Sequence, residues 1–215
     1  MRAGVLGAND GLLSTASLMA GVGAASSGRS AVLTAGFAGL FAGALSMAAG
    51  EYTSVSSQRD TELADLERER VELQATPEAE QAELAAIYRQ RGLSASLADR
   101  VAAELSAGDA LIHHARDELG LDPESLAEPW QAAGVSSVSF AIGALVPVLT
   151  AFLVGSSARL PLLVITTLVG LGLLGWVGAK LGGAPRRRAA VRVLAGGVAA
   201  MGVTMAVGRI VGGAI

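Results

Sequence analysis

The chain has 215 residues, 52% of them hydrophobic and only 16% charged, with 28 glycines and a mean hydropathy of +0.51. That is too apolar for an ordinary soluble domain and fits a small protein that crosses a membrane several times. There is no cysteine, which excludes disulfides, zinc–thiolate sites and iron–sulfur clusters; any metal must be held by carboxylate, imidazole, thioether or backbone oxygen.

The net charge of −3 conceals a segregation: of 19 acids, all but Asp10 lie between Glu51 and Glu128. An acidic segment thus interrupts a membrane domain. A spanning helix needs about 20 mostly apolar residues. Residues 11–28 are free of charge but short; with Met1–Asp10 they complete a first span and set Asp10 inside the membrane or at its edge. No charged run precedes this stretch and no clean small-residue cleavage site follows it, so no cleavable signal is expected. Residues 30–50 form the second span, with GLFAG at 39–43 in the small-xxx-small spacing of close helix packing.

Residues 43–60 pass from apolar to polar sequence without a proline. Met47 and Glu51, four apart at that crossover, share one helical face. Methionine in a glycine-rich span is usually packing, but a thioether and a carboxylate one turn apart in a membrane suit a soft-to-borderline divalent metal. Beyond them, 51–74 continues as a polar helix, on which Glu62, Asp65, Glu69 and Glu72 form one acidic stripe at spacings of three and four.

Thr76 as N-cap and Pro77 at the first position predict a second helix to about Gln90, carrying Glu80 and Glu83. A third is predicted near 94–119, closed by Gly120 and carrying Asp109, His113, His114, Asp117 and Glu118. Charge runs are by default solvated faces. Here, however, Glu69 with Glu72, Glu80 with Glu83, and His114 with Glu118 are each spaced to share a face. Three short antiparallel helices could converge these pairs on one cleft, as helical-bundle metal sites do. The two histidines point about 100° apart, so one faces the cleft; His114 pairs better with Glu118, and His113 with Asp117.

The membrane then resumes, with a third span within the charge-free stretch 129–158, which contains Pro147, a fourth at 160–179 and a fifth at 193–208. The link between the last two carries Lys180, Arg186, Arg187, Arg188 and Arg192 and is assigned to the cytoplasm by the positive-inside rule. Five spans then put the N-terminus and the acidic segment inside and the C-terminus outside. No phosphate-cradling loop, nucleophile–base pair or nucleic-acid motif is present. A di-iron carboxylate oxidase would want Glu-x-x-His pairs, and neither histidine has a glutamate three residues before it.

GANDGLLSTASLMAGV at 7–22 and AGALSMAAGEYTSVSSQRDTELADLERERVEL at 42–73 resemble the vacuolar iron transporter family, also called the yeast-type Ca²⁺-sensitive cross-complementer family. HARDELGLDP at 114–123 and GALVPVL at 143–149 are similar to it too, so the resemblance covers essentially the whole chain and looks like that of a bacterial member. It implies a five-span homodimer that exports cytosolic Fe²⁺ or Mn²⁺ in exchange for protons. Asp10 and Met47 match the family's translocation-path residues at the dimer interface, with Glu51 one turn further along. Glu69, Glu72, Glu80 and Glu83 match the acid pairs of its cytosolic three-helix metal-binding module, and Glu118, or Asp117 if the register slips by one, matches the glutamate of the third helix. Two departures stand out. Plant-type members have a carboxylate eight residues before the Met of span two, where this chain has Gly39. They also have a methionine pair where it has histidine near 113–114, which leaves metal selectivity open.

The expectation is therefore an all-α membrane protein with five transmembrane helices and a cytosolic three-helix acidic module between spans two and three. Residues 1–50 hold spans one and two, 51–128 the module, and 129–215 spans three to five. The expected activity is proton-coupled export of Fe²⁺ or Mn²⁺, with Zn²⁺ and Co²⁺ as further candidates, across the cell membrane; the expected protein is a transporter and not an enzyme. Its metal ligands are expected to be Asp10, Met47, Glu51, Glu69, Glu72, Glu80, Glu83, His114 and Glu118. No prosthetic group and no nucleic acid are expected; the partners are a second copy, the lipid bilayer, divalent metal ions and protons. The alternative is a membrane-anchored metal sensor or scaffold that does not itself transport.

Overall fold

The computed structural model of the chain describes residues 2–25 and 28–214. They form eight helices, with no strand among the described residues: α1 (Arg2–Ala25), α2 (Arg29–Ala75), α3 (Pro77–Gln90), α4 (Ala95–Ser106), α5 (Ala110–Asp117), α6 (Pro129–Leu153), α7 (Ser156–Leu181) and α8 (Arg186–Ala214). Two compact units result, one of Met1–Tyr52 with Trp130–Ile215, the other of Thr53–Pro129.

In the first unit, α2, α6, α7 and α8 are long and apolar enough to cross a membrane. Helix α1 is long enough, at 24 residues, but Asn9 and Asp10 dilute its apolar character. It lies inside: Leu12, Ala16, Met19 and Ala20 are all at most 1% exposed. The core joins Ala16, Met19 and Ala20 to Val32 and Leu40 of α2, Phe140, Ala144 and Val148 of α6, Leu163 of α7 and Met201 of α8. The outward faces carry large apolar side chains instead, among them Ile142, Leu149, Leu173, Val203 and Ile210. An apolar exterior of this extent is what hydrocarbon as solvent selects and what water would penalise.

Backbone contact sets the α1–α6 spacing. A Cβ on Gly11 would stand 2.0 Å from the Phe140 carbonyl oxygen, and one on Gly143 2.0 Å from that of Ala8. Only hydrogen fits at either position, the small-residue logic of membrane helix packing. The helix ends differ modestly from those expected. Helix α6 ends at Leu153, and α8 begins at Arg186 directly after Pro185, because arginine continues a helix well even where it ends an apolar run.

In the second unit the tail of α2 is followed by α3, α4 and α5. Leu84 and Ala85 of α3 pack on Ala102 of α4. The single helix expected near 94–119 is two: α4 stops at Ser106, and Asp109 caps α5 by accepting a hydrogen bond from the Ile112 N–H. The physical reason is local. Gly108 is a poor helix former, and aspartate is preferred as an N-cap over a helix interior. Helix α5 ends at Asp117 with Glu118 as its C-cap. Gly120, at φ +68°, serves the turn beyond, where the Leu121 N–H reaches the Ala115 carbonyl at 2.8 Å. The returning segment is tied to α2: the Ala127 N–H donates to Glu62 at 3.0 Å, and Arg59 donates to the Ala127 carbonyl at 3.3 Å.

Candidate functional site

Two constellations stand out, one in each unit. In the second unit, α2 contributes Glu69, α3 contributes Glu80, and the α5 end contributes His114 and Glu118; one ligand atom from each lies within 4.8 Å of all the others. Around His114 Nδ1, Glu69 Oε1 stands at 2.9 Å, Glu118 Oε2 at 3.5 Å and Glu80 Oε2 at 4.0 Å. His114 is 0% exposed and Glu69 2%. The short Glu69 approach lacks hydrogen-bond geometry: both imidazole nitrogens and Glu69 Oε1 have no hydrogen-bond partner. Burial raises the Glu69 pKa, and the charges of Glu118, Glu80 and Glu72 raise it further against the opposing pull of His114. Burial also raises that of Glu118, with Glu83 adding to it.

Buried polar atoms are nearly always partnered, and three converging carboxylates repel one another. A buried imidazole and a buried carboxylate oxygen without hydrogen-bond partners are costly as they stand. A divalent cation would relieve that cost, and imidazole with carboxylates is a donor set that suits Fe²⁺, Mn²⁺ and Zn²⁺. Of the residues expected here, Glu69, Glu80, His114 and Glu118 come together. Glu72 and Glu83 remain exposed outside the four, acting on them through their charge. His113 is not part of the cluster. Asp117 is occupied elsewhere: it accepts from Tyr88 Oη at 2.6 Å and is ion-paired with Arg91, whose guanidinium also reaches the Asp117 carbonyl at 3.0 Å. Burial pushes the Asp117 carboxyl up, but those hydrogen bonds outweigh it and hold the pKa below its ordinary value.

In the first unit, Asp10 and Met47 line one cleft of about 260 Å³ between α1 and α2, together with Ser14, Thr15, Leu18, Gly39, Gly43, Ser46 and Phe140. Gly39, Gly43 and Met47 succeed one another at four-residue steps; the Phe140 ring packs on Gly43 and Leu18 on Gly39. Glu51, the next step of that stripe, is half-buried and is not in the lining. Asp10 is exposed on the surface of the single chain. Thr15 was not among the expected residues. The signal that points to it is its place on α1 one turn past Asp10 and Gly11, with a hydroxyl in an otherwise apolar run.

Fold and sites together define a helical integral membrane protein bearing a buried acid–imidazole cluster and a membrane cleft with a carboxylate and a thioether. The chain belongs to the VIT family, whose model matches residues 1–209. It is 44% identical over 209 residues to a protein of Acanthamoeba castellanii named vacuolar iron transporter, an alignment covering 97% of this chain and 77% of that one. It is 41% identical over 211 residues to vacuolar iron transporter homolog 5 of Oryza sativa subsp. japonica, covering 98% and 79%. Vacuolar iron transporter homolog 2 of Arabidopsis thaliana is 38% identical over 213 residues, covering 99% and 84%.

Proposed function

We propose that the chain is a transporter of divalent transition metals, exporting Fe²⁺ and Mn²⁺ from the cytosol in exchange for protons. The observation that carries this reading is the convergence of Glu69, Glu80, His114 and Glu118, with Glu69 Oε1 and both His114 nitrogens buried and without a hydrogen-bond partner. The names of the similar proteins, vacuolar iron transporter in Acanthamoeba castellanii and vacuolar iron transporter homolog 5 in rice, support iron as a cargo.

Helix α1 serves as a fifth span, so the acidic unit and the N-terminus face the cytosol and the C-terminus faces outward, in the cell membrane. The basic link Lys180–Arg192 supports that orientation. The acidic unit captures the hydrated ion and raises its local concentration. Transfer then runs through Glu51, Met47 and Asp10, which replace shed water with carboxylate oxygen and thioether sulfur. A carboxylate facing hydrocarbon is costly, and Asp10 lies on an exposed face of the single chain. A second copy packed on this face encloses Asp10 and turns two half-clefts into one path. Protonation of Asp10 or Glu51 from the outer side releases the ion, and that exchange constitutes the antiport.

Fe²⁺ and Mn²⁺ flux into proteoliposomes under an imposed pH gradient tests this. Wild type should give gradient-dependent flux, and Asp10→Asn and Met47→Ala should each abolish most of it while metal binding to the acidic unit persists. Retained flux in Asp10→Asn refutes the assigned path, and no flux in folded wild type refutes transport.

A further inference from the structure

Thr15 of α1 is 1% exposed, and its Oγ1 has no hydrogen-bond partner. A buried helical threonine or serine ordinarily satisfies its hydroxyl by donating to the carbonyl four residues back. In this unit Ser14 does so to Asp10 at 2.7 Å, Thr150 to Val146 at 2.8 Å, Thr167 to Leu163 at 2.7 Å and Thr204 to Ala200 at 3.0 Å. Thr167, at 0% exposed, is as deeply buried and fully satisfied. Depth alone therefore does not orphan a hydroxyl here.

What distinguishes Thr15 is its place. It lines the cleft that holds Asp10 and Met47. Across from it stands Gly39 of α2, where an added Cβ would come 3.9 Å from Thr15 Oγ1 and 3.0 Å from Leu18. With no side chain at Gly39, α2 brings no hydrogen-bond partner to the oxygen there, and in the single chain the oxygen is covered from solvent. Ser17, whose hydroxyl is also unpartnered, is 6% exposed and lies outside the lining, so it serves as a comparison.

We infer that Thr15 Oγ1 is a cargo-contacting oxygen, a neutral donor that meets the divalent ion alongside the Asp10 carboxylate and the Met47 sulfur. This rests on the transport reading above and names a selectivity residue within it. A hydroxyl adds a ligand without adding charge to the membrane interior, so it does not deepen the well from which the ion must leave. It is also a hard donor beside a soft one. Removing it leaves the site weighted toward sulfur, which costs Mn²⁺ more than Fe²⁺.

The test is concentration-dependent flux of Fe²⁺ and Mn²⁺ in proteoliposomes of full-length protein. The variants are Thr15→Val, Thr15→Ala and Thr15→Ser, with Thr167→Val and Ser17→Ala as controls and Asp10→Asn as reference. Even an outer-shell partner is worth roughly 10–100-fold in metal affinity, so Thr15→Val should raise the Mn²⁺ KM by at least the lower figure. The Fe²⁺ KM should rise less, Thr15→Ser should stay near wild type, and both controls should be unchanged. Thermal unfolding should show Thr15→Val at least as stable as wild type, because it deletes an unsatisfied buried group. If Thr15→Val does not fold, Thr15→Ala gives the same readout. Wild-type KM for both metals in the oxygen-free variants overturns the assignment while leaving the transport reading intact, provided Asp10→Asn is inactive. Wild type that carries neither metal overturns both.

Discussion

Removing one charge from the acid–imidazole cluster should have opposite effects with and without metal. In Glu69→Gln the buried carboxylate becomes a neutral amide of the same shape. Two unit charges 4.8 Å apart, the outer separation within the cluster, repel by about 3.5 kcal/mol at an effective dielectric constant of 20. Attraction to His114, when protonated, offsets part of this, and Gln leaves a polar group still to satisfy, so a net gain on the order of 1–2 kcal/mol is expected in the metal-free protein at pH 7. The pH dependence follows from the raised pKa of Glu69. A carboxyl raised by folding stabilises fully below its ordinary value of 4.5, and that contribution is lost as pH rises through the folded value. Metal-free wild type should therefore gain stability on acidification from neutral pH toward 4.5, with a shallower gain in Glu69→Gln. With saturating Mn²⁺ the order reverses. Binding at 100 times Kd adds about 2.7 kcal/mol, and Glu69→Gln forfeits most of it. Hydrogen exchange at the amides of α5 in full-length protein, with and without metal, reads both effects locally. A metal-free Glu69→Gln less protected than wild type, or one equally protected by Mn²⁺, would refute the argument that unrelieved like charge defines this site.

Two further outcomes test the surroundings of the sites. Gly11→Ala would put a methyl 2.0 Å from the Phe140 carbonyl. Overpacking of that severity should cost about 3 kcal/mol or more, read as a lower melting temperature in detergent. Tyr88→Phe removes the hydroxyl that donates to Asp117. It should cost about 1 kcal/mol in chemical unfolding and leave Mn²⁺ affinity unchanged, since Asp117 lies outside the cluster.

Periodicity made the helices and the shared faces of Glu69 with Glu72 and Glu80 with Glu83 legible, but not which member of each pair turns inward. Glu69 and Glu72 lie three apart on one side of α2, and only packing against α3 and α5 buries the first and leaves the second in solvent. The choice of His114 over His113, and of Glu118 over Asp117, depends on where α5 starts. That start is set by the Gly108–Asp109 break, a local signal present in the sequence but outweighed there by the helical character on either side. Helix α1 shows the opposite limit. Its polar pair weakens it as a span by composition, yet its small residues let it sit inside the bundle, where apolar surface matters less than close approach. The place of Thr15 one turn past Gly11 was legible, but its unsatisfied hydroxyl was not, because that is a property of three-dimensional surroundings and not of spacing.

The contact between Gly11 and Phe140 has a consequence for how this protein can change. The residue next to the cleft carboxylate is held by main-chain atoms with no rotamers to adjust, so the position of Asp10 admits no gradual tuning from its neighbour. Variation in cargo preference is channelled instead to positions whose side chains can exchange without moving α1, namely Thr15, Gly39 and Met47. Lineages or libraries that shift selectivity should accumulate their differences there, while the glycine seam stays fixed because nothing larger can be accommodated.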